Sequence, residues 1–237
     1  MALTTTKPAS SKGCLVCAFA RSDLKNAYES VKRVLTREEI NYLAKHEYAM
    51  PDSNNCKKAL ELVTSCSPNH LTNHCLRSYA FAVGMAHKVK KNVDKEVLFL
   101  GCIMHDLGLT PTYDTGKTFE IDGAQAAHKF CLAHGLPDEK TELVHEMVAH
   151  HNSVGLAHKL DPEVALLHYG AGLDVAGLWI KDIHPNTLSE VIETFPRLDF
   201  KEGMQALLKD QMERKPESYM KPFVELGFLK KIEKAPF

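Results

Sequence analysis

The chain has 237 residues, 44% of them hydrophobic, enough to bury a sizeable core as one domain or as a domain with helical extensions. A formal net charge of -1 offers no basic surface for a nucleic acid, and no apolar run approaches the length that spans a bilayer, so neither is expected as a partner. Seven cysteines, an odd number spread over a medium-sized chain, fit reduced thiols better than a disulfide framework and point to the cytoplasm.

Residues 1 to about 20 are expected to form a flexible segment, and 21–237 a single helical domain. Lys12 and the apolar stretch ending Ala18-Phe19-Ala20 look superficially like a signal peptide, but the apolar part is at the short limit. Cys14-x-x-Cys17 has a metal or redox spacing, yet no second pair follows it, so the two read as incidental thiols. Thr36 and Glu39 form a capping box for a helix running toward Glu47. Met50-Pro51-Asp52 breaks the pattern, and Asp52 or Ser53 caps a helix through Leu62 and Val63. After Ser67-Pro68-Asn69 a longer helix is predicted from about His70 to Lys91, with Leu71, Cys75, Ala82, Met85 and Val89 on its apolar side and His74 at the border.

The next helix, Lys95 to His105, is apolar nearly all round and belongs in the centre of the fold, with Gly108 as the turn that stops it. Asp122 is the expected cap of a helix ending at His134-Gly135, and Pro137 opens one that carries His145, His150 and His151. Asp161-Pro162 starts a helix that runs to Asp174. Beyond Pro185 the chain is again helical without clustered His or Asp, and reads as packing and interface material that could cover the core or a partner subunit of a homo-oligomer. No segment alternates as a strand does, so the fold class is all-α.

His74, His105, Asp106 and Asp174 each fall inside or at the end of one of these helices, which is how a helical protein builds a metal site from side chains converging on its core. Any one of them alone reads more easily as structural. Together they ask for a partner: Asp106 follows an almost wholly apolar helix, and Asp174 sits in the small, apolar setting Gly172-Leu173-Asp174-Val175. One divalent metal, zinc with iron or manganese as alternatives, would satisfy both and leave a position for water.

The order His74, His105-Asp106, Asp174 resembles the signature of the HD-domain superfamily of metal-dependent helical enzymes. Longer stretches are similar to its cyanamide hydratase subgroup: Asn73-His74-Cys75-Leu76-Arg77-Ser78-Tyr79, His105-Asp106-Leu107-Gly108-Leu109-Thr110, Phe119-Glu120-Ile121-Asp122-Gly123-Ala124 and His151-Asn152-Ser153-Val154-Gly155. The similarity covers about residues 55–180, and Cys75 and Ala80 depart from the family's usual Ser and aromatic. It implies a compact helical bundle of the HD-domain type with extra N- and C-terminal helices. It also implies metal ligation by His74, His105, Asp106 and Asp174, and a lyase that adds water to cyanamide to give urea.

For that reaction His151 is the first choice as proton shuttle, because an imidazole titrates near working pH. Asp106 and Glu120 complete the expected catalytic set, with Asp122 as a further carboxylate near the metal or substrate and Arg77 as a partner for Glu120 or Asp122. His168 could line the pocket. The main alternative is an HD-type phosphohydrolase acting on nucleotides or another small phosphate ester. It would need Lys or Arg clamps and frequently a second metal, for which His128, His150 and His151 are the suppliers. An iron-dependent oxygenase relative and a non-catalytic domain are the remaining readings.

Overall fold

Ser53 accepts a hydrogen bond from the backbone N–H of Cys56 and starts the helix Asn54–Cys66 in a computed structural model. The structure describes residues 39–89, 91–215, 218 and 220–237, together with Val16, Cys17, Leu24, Tyr28, Lys32 and Leu35. Cys14, Thr36 and most of the N-terminal segment up to residue 20 lie outside the described residues. Among the described residues there is no strand, and the fold is all-α.

The helices are α1 (Asn54–Cys66), α2 (Asn69–Gly84), α3 (Lys95–Met104), α4 (Phe119–Ala133), α5 (Asp138–His150) and α6 (Pro162–Ala176). After them come α7 (Pro185–Thr194), α8 (Phe200–Arg214), α9 (Lys221–Glu225) and α10 (Phe228–Glu233). None of them is long and apolar enough to cross a membrane.

α3 is the centre, as its composition predicts: every residue from Val97 to Met104 is buried. Asp94 caps it by accepting from the N–H groups of Glu96 and Val97. Around it α2 crosses α6, and α4 pairs with α5. The α2–α6 crossing is antiparallel and close, because a Cβ on Gly170 would stand 2.1 Å from the backbone oxygen of Ser78. Leu71, Leu109, Phe119, Phe200, Met204 and Leu208 begin a second, smaller apolar cluster, which the C-terminal helices close with Met220, Phe223 and Ile232.

Four local expectations are corrected. Residues 39–44 are not helical and 45–48 form a turn. The Leu43 N–H donates to the Thr187 hydroxyl oxygen at 2.8 Å and the Thr187 hydroxyl donates to the Leu43 carbonyl at 3.2 Å, so a contact with α7 takes both backbone groups that a helix would need. α2 stops at Gly84 rather than Lys91: Met85 is fully buried, and the chain tightens into a short turn over Ala86–Lys88 that delivers Lys88 to Asp182.

Gly108 does not stop α3 by a left-handed turn. It sits in the tight turn Leu107–Leu109, where a Cβ would meet the Phe119 carbonyl oxygen at 2.0 Å, and its lack of a side chain lets α4 approach. Asp122 does not cap α4, which begins three residues earlier. It lies in the first turn, buried, where it accepts from the Thr115 N–H at 3.0 Å, from the Thr115 hydroxyl and from Lys215 at 3.4 Å.

Candidate metal centre

α2 carries His74 in mid-helix, fully buried. His105 follows Met104 as the C-cap of α3, still at helical φ -62° and ψ -29°, and Asp106 at φ -103° and ψ 12° turns the chain away. His151 terminates α5 in the same fashion. Both helix-end histidines donate Nδ1–H to a carbonyl three residues back: His105 to Cys102 at 2.7 Å and His151 to Val148 at 2.6 Å. Since a carbonyl only accepts, each ring keeps its Nε2 lone pair free. His168, which does not line the cavity as expected, donates to the His151 carbonyl at 2.6 Å and steadies that helix end.

His74 is held the same way by a carboxylate. Its Nδ1 lies 2.7 Å from Asp174 Oδ2, so Nδ1 carries the proton and Nε2 faces inward. The His74 and His105 Nε2 atoms are 3.1 Å apart, His74 Nε2 is 3.4 Å from Asp106 Oδ2, and His105 Nε2 is 3.3 Å from the same oxygen. Tetrahedral zinc with bonds of about 2.0–2.1 Å separates its ligand atoms by about 3.3 Å. Two lone pairs and a carboxylate oxygen therefore already outline one face of such a tetrahedron. They form the group of His, Cys, Asp or Glu donors that can hold a metal ion among the described residues.

Electrostatics agree with a place that collects positive charge. Burial opposes a proton on His74, yet Asp106 and Asp174 outweigh it and hold its pKa above the usual value. Burial would raise Asp106, but the neighbouring His105 and His74 keep its carboxyl well below the usual carboxylate range.

Asp174 stands one imidazole away from the three converging atoms. Arg77 donates Nε–H to its Oδ1 at 2.6 Å and Nη2–H to its Oδ2 at 2.9 Å, and Arg197 donates to Oδ1 at 2.7 Å. Despite its burial, Arg77 first and His74 second hold Asp174 far below its ordinary pKa. Arg77 thus serves Asp174, not Glu120 or Asp122 as expected from the sequence. Phe200 ties the group together: its ring stacks on His74 with centroids 4.8 Å apart, and the Arg77 and Arg197 guanidinium carbons lie 5.3 and 4.7 Å from its centre.

The other expected site residues divide. His151 is buried at the edge of the cluster, its Nε2 3.8 Å from Asp106 Oδ1. Burial and the nearby His105 push its pKa down to about 3, so the titration near neutrality expected of it does not occur in these surroundings. Glu120 does have such a value: burial lifts it to about 7. It reaches the site through Asn152, whose amide donates to Glu120 Oε1 at 3.4 Å. Asp122 belongs to a separate group with Asp114, Thr115 and Lys215. His128 pairs with Glu142 at 3.1 Å, and His150 lies 3.1 Å from the Ser153 hydroxyl, so neither joins the cluster.

A cavity of about 50 Å³ opens on His74, His105, Asp106 and His151. Leu109, Phe119, Ala171 and Val175 form its sides, with Asn152 the remaining polar residue. Met204, Leu208, Met220 and Phe228 cover it, so the C-terminal helices expected to be packing material line the site itself. Among the described residues no Lys or Arg lines it. The adjacency of Asn152 to His151 could have flagged it; nothing in the sequence marks Arg197, Phe200 or the four covering residues.

Residues 71–176 match the family model for the HD domain, a span that takes in His74, His105, Asp106, His151 and Asp174. That segment is similar to an HD domain. The matched segment supplies the cluster, while Arg197, Phe200 and the covering residues come from beyond its end. Two proteins of Saccharomyces cerevisiae, cyanamide hydratase DDI2 and cyanamide hydratase DDI3, are each 24% identical to the chain over 171 residues, 70% of this chain and 76% of theirs.

Proposed function

We propose that the protein is a metal-dependent hydratase of a small nitrile, cyanamide to urea, with one zinc held by His74 Nε2, His105 Nε2 and Asp106. The observation that carries this reading is the cavity above those atoms: about 50 Å³, largely apolar and, among the described residues, without a cation on its lining. One water needs about 10–15 Å³ of such space, so a molecule of a few heavy atoms is in scale and a nucleotide is not. A phosphohydrolase would want Lys or Arg aimed at phosphate, and the two nearby arginines are both spent on Asp174. The yeast cyanamide hydratases add support at the level of distant relatives.

When bound, zinc would supply water activated near neutral pH, with its pKa lowered to about 7. The protein's own groups do the rest. Asp174, clamped by Arg77 and Arg197, keeps the proton on His74 Nδ1 and so points Nε2 at the metal. His151, neutral with its Nε2 free, accepts a hydrogen bond from the attacking water and orients it toward the nitrile carbon, and the proton that water loses passes to the nitrile nitrogen. Asn152, steadied by Glu120, is the polar contact for the substrate's amino group. The apolar sides exclude competing water. Four described cysteines are buried and all are unpaired, which fits the cytoplasmic location we assign.

Metal analysis of the purified chain, run beside assays for urea from cyanamide and phosphate from nucleoside monophosphates, tests the reading. One zinc per chain with urea formation is the expected result. Two metals with phosphate release would overturn it.

A further inference from the structure

We propose that Met204, Leu208, Met220 and Phe228 act as a size filter that restricts the metal centre to unsubstituted nitriles and excludes N-alkylated ones. The inference rests on the hydratase reading only for the identity of the substrate. All four come from the stretch after the matched segment and line the cavity together with His74, His105 and Asp106. Met204 and Leu208 are four residues apart on α8 and so share one face, and both are buried. Met220, just ahead of α9, is also buried. Phe228, the first residue of α10, is partly exposed, as are Asn152, Gly172 and Val175 on the same lining. These partly exposed residues mark the mouth, with Phe228 the largest of them.

The chemistry of this wall determines what it can discriminate. It has no donor or acceptor beyond weak thioether sulfurs, so it cannot recognise a polar substituent and can only refuse volume. An apolar wall distinguishes substrates by about 10- to 200-fold per methylene. With only about 50 Å³ open at the metal ligands, added methyl groups press on these four side chains. The two methionines are the most pliable of these and Phe228 the least. Phe228 is accordingly the main filter and Met220 the second.

The test uses Phe228→Ala and Met220→Ala, with the exposed Leu226→Ala as control, and circular dichroism to verify the fold. Phe228→Leu replaces Phe228→Ala should the latter lose helical signal. The first readout is the ratio of kcat/KM for dimethylcyanamide over cyanamide, expected to rise about 10-fold or more in Phe228→Ala and not in the control. The second needs no turnover: the visible spectrum of the cobalt-loaded protein is titrated with azide, a linear triatomic, and with imidazole. The wild-type chain should respond to azide alone, and Phe228→Ala to both. Such a result would support the filter even if no nitrile is hydrated, an outcome that would sink only the hydratase reading. A wild-type chain that binds imidazole as readily as azide, or variants that change neither readout, would overturn the filter.

Discussion

The floor and the cover of the cavity are built on opposite principles. The floor is a set of polar atoms fixed by hydrogen bonds: His74 by Asp174, His105 by the Cys102 carbonyl and His151 by the Val148 carbonyl. The cover is apolar, lacks directional contacts and holds its shape by packing with Leu71, Phe119 and Phe223. Positioned donors determine which reaction can run, and packed volume determines which molecule reaches it. Changes to the floor should therefore move metal content and turnover together. Changes to the cover should move substrate range and stability while leaving the metal in place.

The largest effect is expected on the floor. His105→Ala or Asp106→Ala removes one of the three converging atoms and should leave the purified protein without stoichiometric metal and without measurable urea formation; metal retained at one per chain would break the ligand assignment. Asp174→Asn sharpens the comparison within the floor. A carboxylate that acts by orienting a ligating histidine costs about 10–100-fold in metal affinity when removed, measurable by competition with a chelator. Complete loss of metal would instead mark Asp174 as a direct ligand, the role its place in the HD signature implies.

Leu208→Ala tests the cover. Truncating a buried leucine costs about 2–5 kcal/mol, read as a lower denaturant midpoint, with metal per chain unchanged. The smallest effect concerns Glu120. Its pKa in the folded protein, about 7, is raised above the ordinary 4.5 by burial, so the folded state favours the protonated form. The associated stability is fully present below pH 4.5 and is lost as pH rises through 7, up to about 3 kcal/mol. Metal-free Glu120→Gln should flatten that slope in chemical unfolding at pH 5 and 8, and an unchanged slope would contradict the assignment.

The sequence made the floor readable because its chemistry is local. Asp106 closes an apolar helix and Asp174 lies among small apolar residues, and both advertise a missing partner from their immediate neighbours. The course of α3, the all-α class and the break at Pro68 follow from periodicity and caps in the same way. What could not be read depends on distant returns of the chain. The helix expected toward Glu47 gives way to a contact with Thr187, 144 residues away. Arg197 meets Asp174 because the link between α7 and α8 passes over α6, and Met220 and Phe228 line the cavity through packing that leaves no periodic trace. The sequence places His151 near the site, but its low pKa depends on burial, which composition alone does not report.

The close crossing of α2 and α6 has one more consequence. Ser78 lies one helical turn beyond His74, and Gly170 one turn before Asp174, so the two contacts are successive rungs of the same antiparallel ladder. The missing side chain at Gly170 is thus the gauge block that sets the bite of the His74–Asp174 pair. A single methyl there would pry the helices apart and cripple a centre it never touches, so a lesion at this position would look like a ligand mutant while every ligand remained intact.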